Sequence, residues 1–309
     1  MKFAVIGSGG VGAYFGGRLA EAGHDVTFLA RGAHLAVMRE RGLRVESTEG
    51  DFTVGAVRAT DDVAAIPPVD IALLAVKTWQ VADVAIRLAP LLNAGGSVLT
   101  LQNGVEAPDE TAAACGRDRV LPGVCRIMSF IAEPGLVRHA GVRPTLSFGE
   151  WDGASSARVT ALKAAFDDCA GLSAAISPDI QLELWEKFLF IAPFSAVGAA
   201  TRKPAGMWRN VPETRALLRQ AMEEVVALAN ARGVKVRAEA VDRTLAFTDR
   251  LPAEATASMQ RDLLEGRPSE LEAQTGAIVR LAALAGLPVP ANAFLYASLR
   301  PGELQTRGI

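Results

Sequence analysis

The sequence predicts an α/β fold over residues 1–177 and an all-α fold over residues 178–309. Three observations carry this. Short apolar runs alternate with helical spacing through the first half, a glycine-rich turn separates the first run from the first helix, and strand signals nearly vanish after Pro178. A length of 309 residues suits two domains at roughly 150 residues each.

The apolar run 2–6 ends in glycines and reads as a buried strand, and 11–22 has helical spacing closed by Gly23. Residues 25–30 read as a second strand and 34–41 as a helix stopped by Gly42. Residues 43–46 and 52–58 read as short strands around the turn at Gly50. Residues 70–76 read as a buried strand, 80–92 as an amphipathic helix and 97–101 as another strand. This alternation implies a parallel sheet covered on both faces. Over 119–148 the pattern shifts to short strands with turn signals at Pro134-Gly135 and Ala140-Gly141, an antiparallel extension of the sheet. Helix 157–169 and strand 172–176 close this half. Residues 180–197, 213–232, 239–247 and 270–285 then read as helices, and the polar tail 301–309 as frayed.

Composition excludes several functions. Thirty-two basic against 34 acidic residues argue against a nucleic-acid binder. Three cysteines in no paired spacing suggest neither disulfides nor a metal. With only His24, His34 and His139 present, a histidine-based mechanism has few candidates. The apolar stretch 188–200 falls short of the about 20 residues a membrane span needs. The uncharged stretch 3–17 holds six glycines, unlike a signal peptide, so the expected location is cytoplasmic.

Gly7-Ser8-Gly9-Gly10-Val11-Gly12 fits G-x-G-x-x-G between a strand and a helix, the context of a Rossmann-type dinucleotide fingerprint. Gly7 permits the tight turn, Gly9 admits a pyrophosphate and Gly12 allows helix and strand to pack closely. An NAD enzyme would place a carboxylate at the end of the second strand. Here Arg31 stands there, suited to the 2′-phosphate of NADP(H), or else simply a solvated arginine. Two more segments follow buried strands, Ala75-Val76-Lys77-Thr78-Trp79-Gln80 and Leu101-Gln102-Asn103-Gly104. Lys77 could reach phosphate or substrate and Asn103 the nicotinamide; a surface charge and a plain turn are the alternatives.

Lys187 lies in a mainly apolar helix. An ammonium drawn out of water gives up its proton more readily, unless the side chain snorkels to solvent. Ser258 and Glu270 stand in polar segments, where each could also serve a helix start. These features, in order, are the fingerprint with Arg31, Val76-Lys77-Thr78-Trp79-Gln80, Leu101-Gln102-Asn103-Gly104, Trp185-x-Lys187, and Ser258-Met259-x-x-Asp262 with Arg267-Pro268-x-Glu270. Together they resemble the ketopantoate reductase (2-dehydropantoate 2-reductase) family over essentially the whole chain.

The resemblance implies NADPH-dependent reduction of a 2-keto acid, with 2-dehydropantoate the leading substrate, in pantothenate biosynthesis. It implies a catalytic Lys187 that protonates the keto oxygen. Glu270 would hold a substrate hydroxyl or orient Lys187 and would also lie on the cofactor, with Lys77 and Gln80. Asn103 would sit between nicotinamide and substrate, and Ser258 and Ser195 would bind substrate. The family carries asparagines four and eight residues after the lysine, where this chain has Ile191 and Ser195. Isoleucine offers no hydrogen bond, so a D-2-hydroxyacid dehydrogenase acting on a more apolar 2-keto acid is the alternative. Pro193 is expected to disturb that helix. A non-catalytic NADP-binding sensor is a third reading. No metal, nucleic acid or membrane partner is implied, and the sequence admits a homodimer.

Overall fold

A computed structural model describes all residues, 1–309, as two compact units. One comprises Met1–Gln102 and Ala107–Ile180; the other comprises Asn103–Glu106 and Gln181–Ile309. No helix is long and apolar enough to cross a membrane.

The first unit is built on ten strands: β1 (Lys2–Ile6), β2 (Asp25–Leu29), β3 (Leu43–Ser47), β4 (Phe52–Val54), β5 (Arg58–Thr60), β6 (Val69–Leu74), β7 (Leu92–Thr100), β8 (Val120–Glu133), β9 (Leu136–Phe148) and β10 (Ser173–Ile176). Its helices are α1 (Gly10–Glu21), α2 (Gly32–Arg41), α3 (Val81–Ala85), α4 (Ala107–Cys115) and α5 (Ala157–Asp167). The sheet order is β4-β3-β9-β8-β7-β6-β1-β2-β5, with β10 beside β9. Strands β8, β7, β6, β1, β2 and β5 run parallel to one another, and β9 runs antiparallel to β8. The reason lies in β1. Phe3 and Val5 enter one buried cluster and Ala4 and Ile6 another, so both faces are covered and residues 3–6 must be apolar. From β1 the chain crosses to β2 on one side and returns as β6 on the other. The carboxyl ends of β1 and β6 therefore flank a reversal of strand order, the usual ligand crevice of open sheets.

Three local expectations fail in this unit. Residues 80–92 form no continuous helix: Pro90 lacks an N–H and disfavours α geometry before it, so α3 is short, a 3₁₀ turn spans Ala89–Leu91 and β7 begins at Leu92. The run 52–58 splits at Gly55 into β4 and β5, which end on opposite edges of the sheet. The short strands expected over 119–148 are two long ones, β8 and β9. Pro134-Gly135 makes the turn between them as expected, whereas the turn former at Ala140-Gly141 lies within β9, where residues 141–144 bulge out between Ala140 and Thr145.

His139 on β9 is 2% exposed. Its Nε2 donates to the Val142 carbonyl (3.1 Å), leaving Nδ1 to accept from the Ser47 hydroxyl (2.8 Å). Burial holds its pKa below the ordinary 6.5, although the Val142 carbonyl pulls the other way. The unfolded chain then binds a proton more readily than the folded one, so stability present above that value is lost as pH falls through it. The melting temperature should drop on mild acidification, and His139→Gln should flatten that slope.

The second unit is all-helical: α6 (Ile180–Thr201), α7 (Ala205–Trp208), α8 (Pro212–Ala231), α9 (Glu239–Arg250), α10 (Ser258–Leu264), α11 (Thr275–Ala285) and α12 (Pro290–Arg307). α6 does not end at Pro193 but continues past it to Thr201 as one helix. An interior proline costs about 3 kcal/mol. Burying Phe188, Leu189, Phe194 and Val197, at about 1.5–3 kcal/mol each, outweighs it. α11 starts at Thr275, so Glu270 lies in an irregular stretch rather than in a helix. The tail is not frayed but helical to Arg307, because Glu303 there is buried and fully bonded.

Candidate functional site

In the first unit the chain leaves β1 through Gly7, whose φ of +101° lies in the region reserved for glycine. A Cβ at Gly12 would overlap the Gly7 carbonyl oxygen, and one at Gly10 would overlap the Ser129 backbone. Gly9 differs: a Cβ there would meet nothing within 4 Å. Packing within the unit therefore explains Gly7, Gly10 and Gly12, whereas Gly9 opens a cradle outside α1. The first N–H groups of α1, from Gly10, Val11 and Gly12, have no partner within a helix and face the positive end of its dipole. Such a cradle fits a dinucleotide's pyrophosphate. Ser8 is spent inward, since its N–H (3.0 Å) and its hydroxyl (2.9 Å) both go to the Leu29 carbonyl.

Arg31 caps α2 at the end of β2; it is exposed and engages in no ion pair. Lys77 is exposed after β6, with its ammonium 5.8 Å from the Trp79 ring centroid, and its carbonyl accepts from Gln80 N–H (2.9 Å). Gln102, which the sequence reading passed over, is buried. Its amide donates to the Leu74 (2.9 Å) and Val76 (3.1 Å) carbonyls and so fixes the exit of β6 ahead of Lys77. An amide directly after a buried strand was the signal that could have found it. The three histidines serve packing: His24 lies at the Ala165 carbonyl, His34 accepts from Gly135 N–H, and His139 is buried.

In the second unit Asn103 donates from Nδ2 to Glu270 Oε2 at 3.0 Å, across 167 residues of sequence. Glu270 is 5% exposed. A carboxylate so far from water is costly unless donors answer it. Lys187 is half-buried on α6, and no hydrogen bond or ion pair engages its ammonium. Ile191 and Ser195 follow on the same face, four and eight residues on. Ser195 is fully buried with an unpartnered hydroxyl. Ser258 is the first residue of α10; Ala257 holds the N-cap position, so the Ser258 hydroxyl is not a cap. Asp262 is held by Arg267 (3.1 and 2.9 Å). In the basic stretch 201–210 the Lys203 carbonyl accepts from Gln260 (2.9 Å), and Arg209 donates to the Thr248 carbonyl (3.2 Å). The structure thus joins Asn103 to Glu270, while Lys187 and Ser258 keep free polar heads.

Comparison with known proteins places these features. The family profile "Ketopantoate reductase PanE/ApbA" matches residues 3–153, and "Ketopantoate reductase PanE/ApbA C terminal" matches residues 179–303. A 2-dehydropantoate 2-reductase of Nostoc sp. is 31% identical over 303 residues, covering 97% of this chain and 94% of the relative. The crystal structure of a PanE/ApbA family ketopantoate reductase from Ralstonia eutropha JMP134 is 32% identical with a TM-score of 0.90, covering 99% of this chain and all of that one. D-mandelate dehydrogenase, solved with NADH and anilino(oxo)acetate, shares the fold at 19% identity and a TM-score of 0.90, covering 99% of this chain and all of that one.

Proposed function

The chain belongs to the ketopantoate reductase family, and from that premise we propose that it reduces a 2-keto acid to the 2-hydroxy acid with NADPH, ketopantoate being the leading substrate. The observation that carries the reading is the buried Glu270 carboxylate answered by Asn103. The opening N–H groups of α1 would hold the pyrophosphate, Arg31 the 2′-phosphate, and Lys77 with Gln80 a further part of the cofactor. When bound, the dinucleotide supplies a hydride to the keto carbon. Lys187 polarises the keto oxygen and gives it a proton, so that C=O becomes CH–OH. Glu270, steadied by Asn103, accepts from a substrate hydroxyl or from the Lys187 ammonium. The Ser258 hydroxyl meets the substrate carboxylate, and the buried Ser195 hydroxyl is a further donor for substrate.

Ile191 supports a second reading, a D-2-hydroxyacid dehydrogenase for a more apolar 2-keto acid. A panel of 2-keto acids with NADPH, followed at the cofactor's absorbance, separates the two. Ketopantoate turnover about tenfold or more below that of ketoisovalerate or benzoylformate selects the second reading. Turnover of none would leave a non-catalytic NADP-binding protein. In the same assay Arg31→Ala should cut the preference for NADPH over NADH by about ten- to a hundredfold, the worth of one charge-assisted hydrogen bond. An unchanged ratio would assign the 2′-phosphate elsewhere.

A further inference from the structure

Glu270 lies between α10 and α11, outside both helices; its carbonyl accepts from Gln274 N–H (3.0 Å), and its neighbours are fixed from one side. Ser269 is 1% exposed, as is Glu303 on α12. Ser269 N–H donates to both Glu303 oxygens (3.1 and 3.0 Å), and its hydroxyl donates to Oε2 at 2.6 Å. The Ser269 carbonyl accepts from Arg307 (3.0 Å), and Arg307 Nε in turn donates to Glu303 at 2.5 Å. The Ser269 hydroxyl also accepts from Leu271 N–H (3.2 Å). The residues on either side of Glu270 are thus tied, directly or through one hydroxyl, to a single buried carboxylate.

Docking of α12 does not explain this arrangement. The other end of α12 has its own buried carboxylate: Glu224 on α8 accepts from Ala291 N–H (2.8 Å), Asn292 N–H (3.0 Å) and Asn292 Nδ2 (2.7 Å). Apart from Arg307 on its own helix, every donor to the Glu303 carboxylate belongs to Ser269, the residue before Glu270.

We infer that Ser269, Glu303 and Arg307 form a positioning clamp that sets the Glu270 carboxylate against Asn103, so that the last helix governs turnover without touching the reacting atoms. This rests on the role given to Glu270 above.

The test compares Ser269→Ala, Ser269→Thr and Glu224→Gln with the wild type. It measures kcat at saturating NADPH on the best 2-keto acid of the panel, amide hydrogen exchange at Leu271 and Gln274, and the melting temperature. Ser269→Ala should lose about tenfold in kcat, as small misplacements of a reacting group do, with faster exchange at both amides. Ser269→Thr keeps the hydroxyl and should restore both. Glu224→Gln should lower the melting temperature and leave kcat unchanged. Equal kcat losses in Ser269→Ala and Glu224→Gln would reduce the clamp to general stability and overturn it. So would wild-type exchange at Leu271 and Gln274 in Ser269→Ala. If the wild type turns over no keto acid, the functional reading fails, and the exchange measurement still decides whether the clamp holds this segment.

Discussion

Lys187→Ala is expected to lower kcat for keto-acid reduction by about 10²–10⁴-fold, the usual worth of a positioned proton donor. The oxygen of the product must acquire a proton as the carbon acquires hydride, and alanine has none to give. The fold should hardly notice. Lys187 is half-buried and makes no ion pair or hydrogen bond, and alanine is the best helix former. NADPH affinity, in which the proposal gives Lys187 no part, should stay near wild type. Steady-state kinetics, a fluorescence titration with NADPH and a thermal melt separate these quantities. A variant that folds, binds NADPH and still turns over at the wild-type rate would remove Lys187 from the mechanism. A variant that simply melts early would show the side chain to be structural.

Gly12→Ala is the second large effect, and it should abolish NADPH binding altogether. The added methyl group has nowhere to go, because it would overlap the Gly7 carbonyl oxygen and crowd Val5 and Ala75. Backbone cannot swing aside as a flexible side chain can, so α1 must move off β1 and the cradle opens. Overpacking of this kind costs about 1–3 kcal/mol, and the melting temperature should fall with it. Gly9→Ala provides the contrast. It meets nothing within the protein, so the melting temperature should hold while NADPH affinity falls. Equal stability losses in the two variants would mean that the loop serves packing alone. Calorimetric titration with NADPH beside melting curves reads both variants.

What the sequence revealed and what it concealed divide along physical lines. β1, the glycine loop and α1 were readable because local pattern dictates them: a fully apolar run must be covered twice, and tight turns need glycine. Lys187 could be singled out as a candidate because an ammonium among apolar neighbours is conspicuous in one dimension. Pro193 misled, since tertiary burial overrode a sound local rule. The helix expected over 80–92 failed for the converse reason: an apolar period outvoted Pro90. Glu303 was unreadable. A glutamate just after Pro301-Gly302 has every mark of a loose tail, and its partner Ser269 stands 34 residues away. Asn103 and Glu270 could each be suspected singly, but only folding brings them into one hydrogen bond.

The sheet has one more consequence, for how the protein behaves in concentrated solution. Its central strands are the segments that would stack into fibres if exposed, being apolar, β-prone and almost free of charge. The order of the sheet keeps them inside and puts β4 and β5, three residues each, at the two ends of the strand order. At these two ends a strand that short offers too few unpaired N–H and C=O groups to template another chain, and on β5 Arg58 adds a charge. The splitting of 52–58 into two remote fragments, which looks like an irregularity of the chain, is thus also a guard against aggregation.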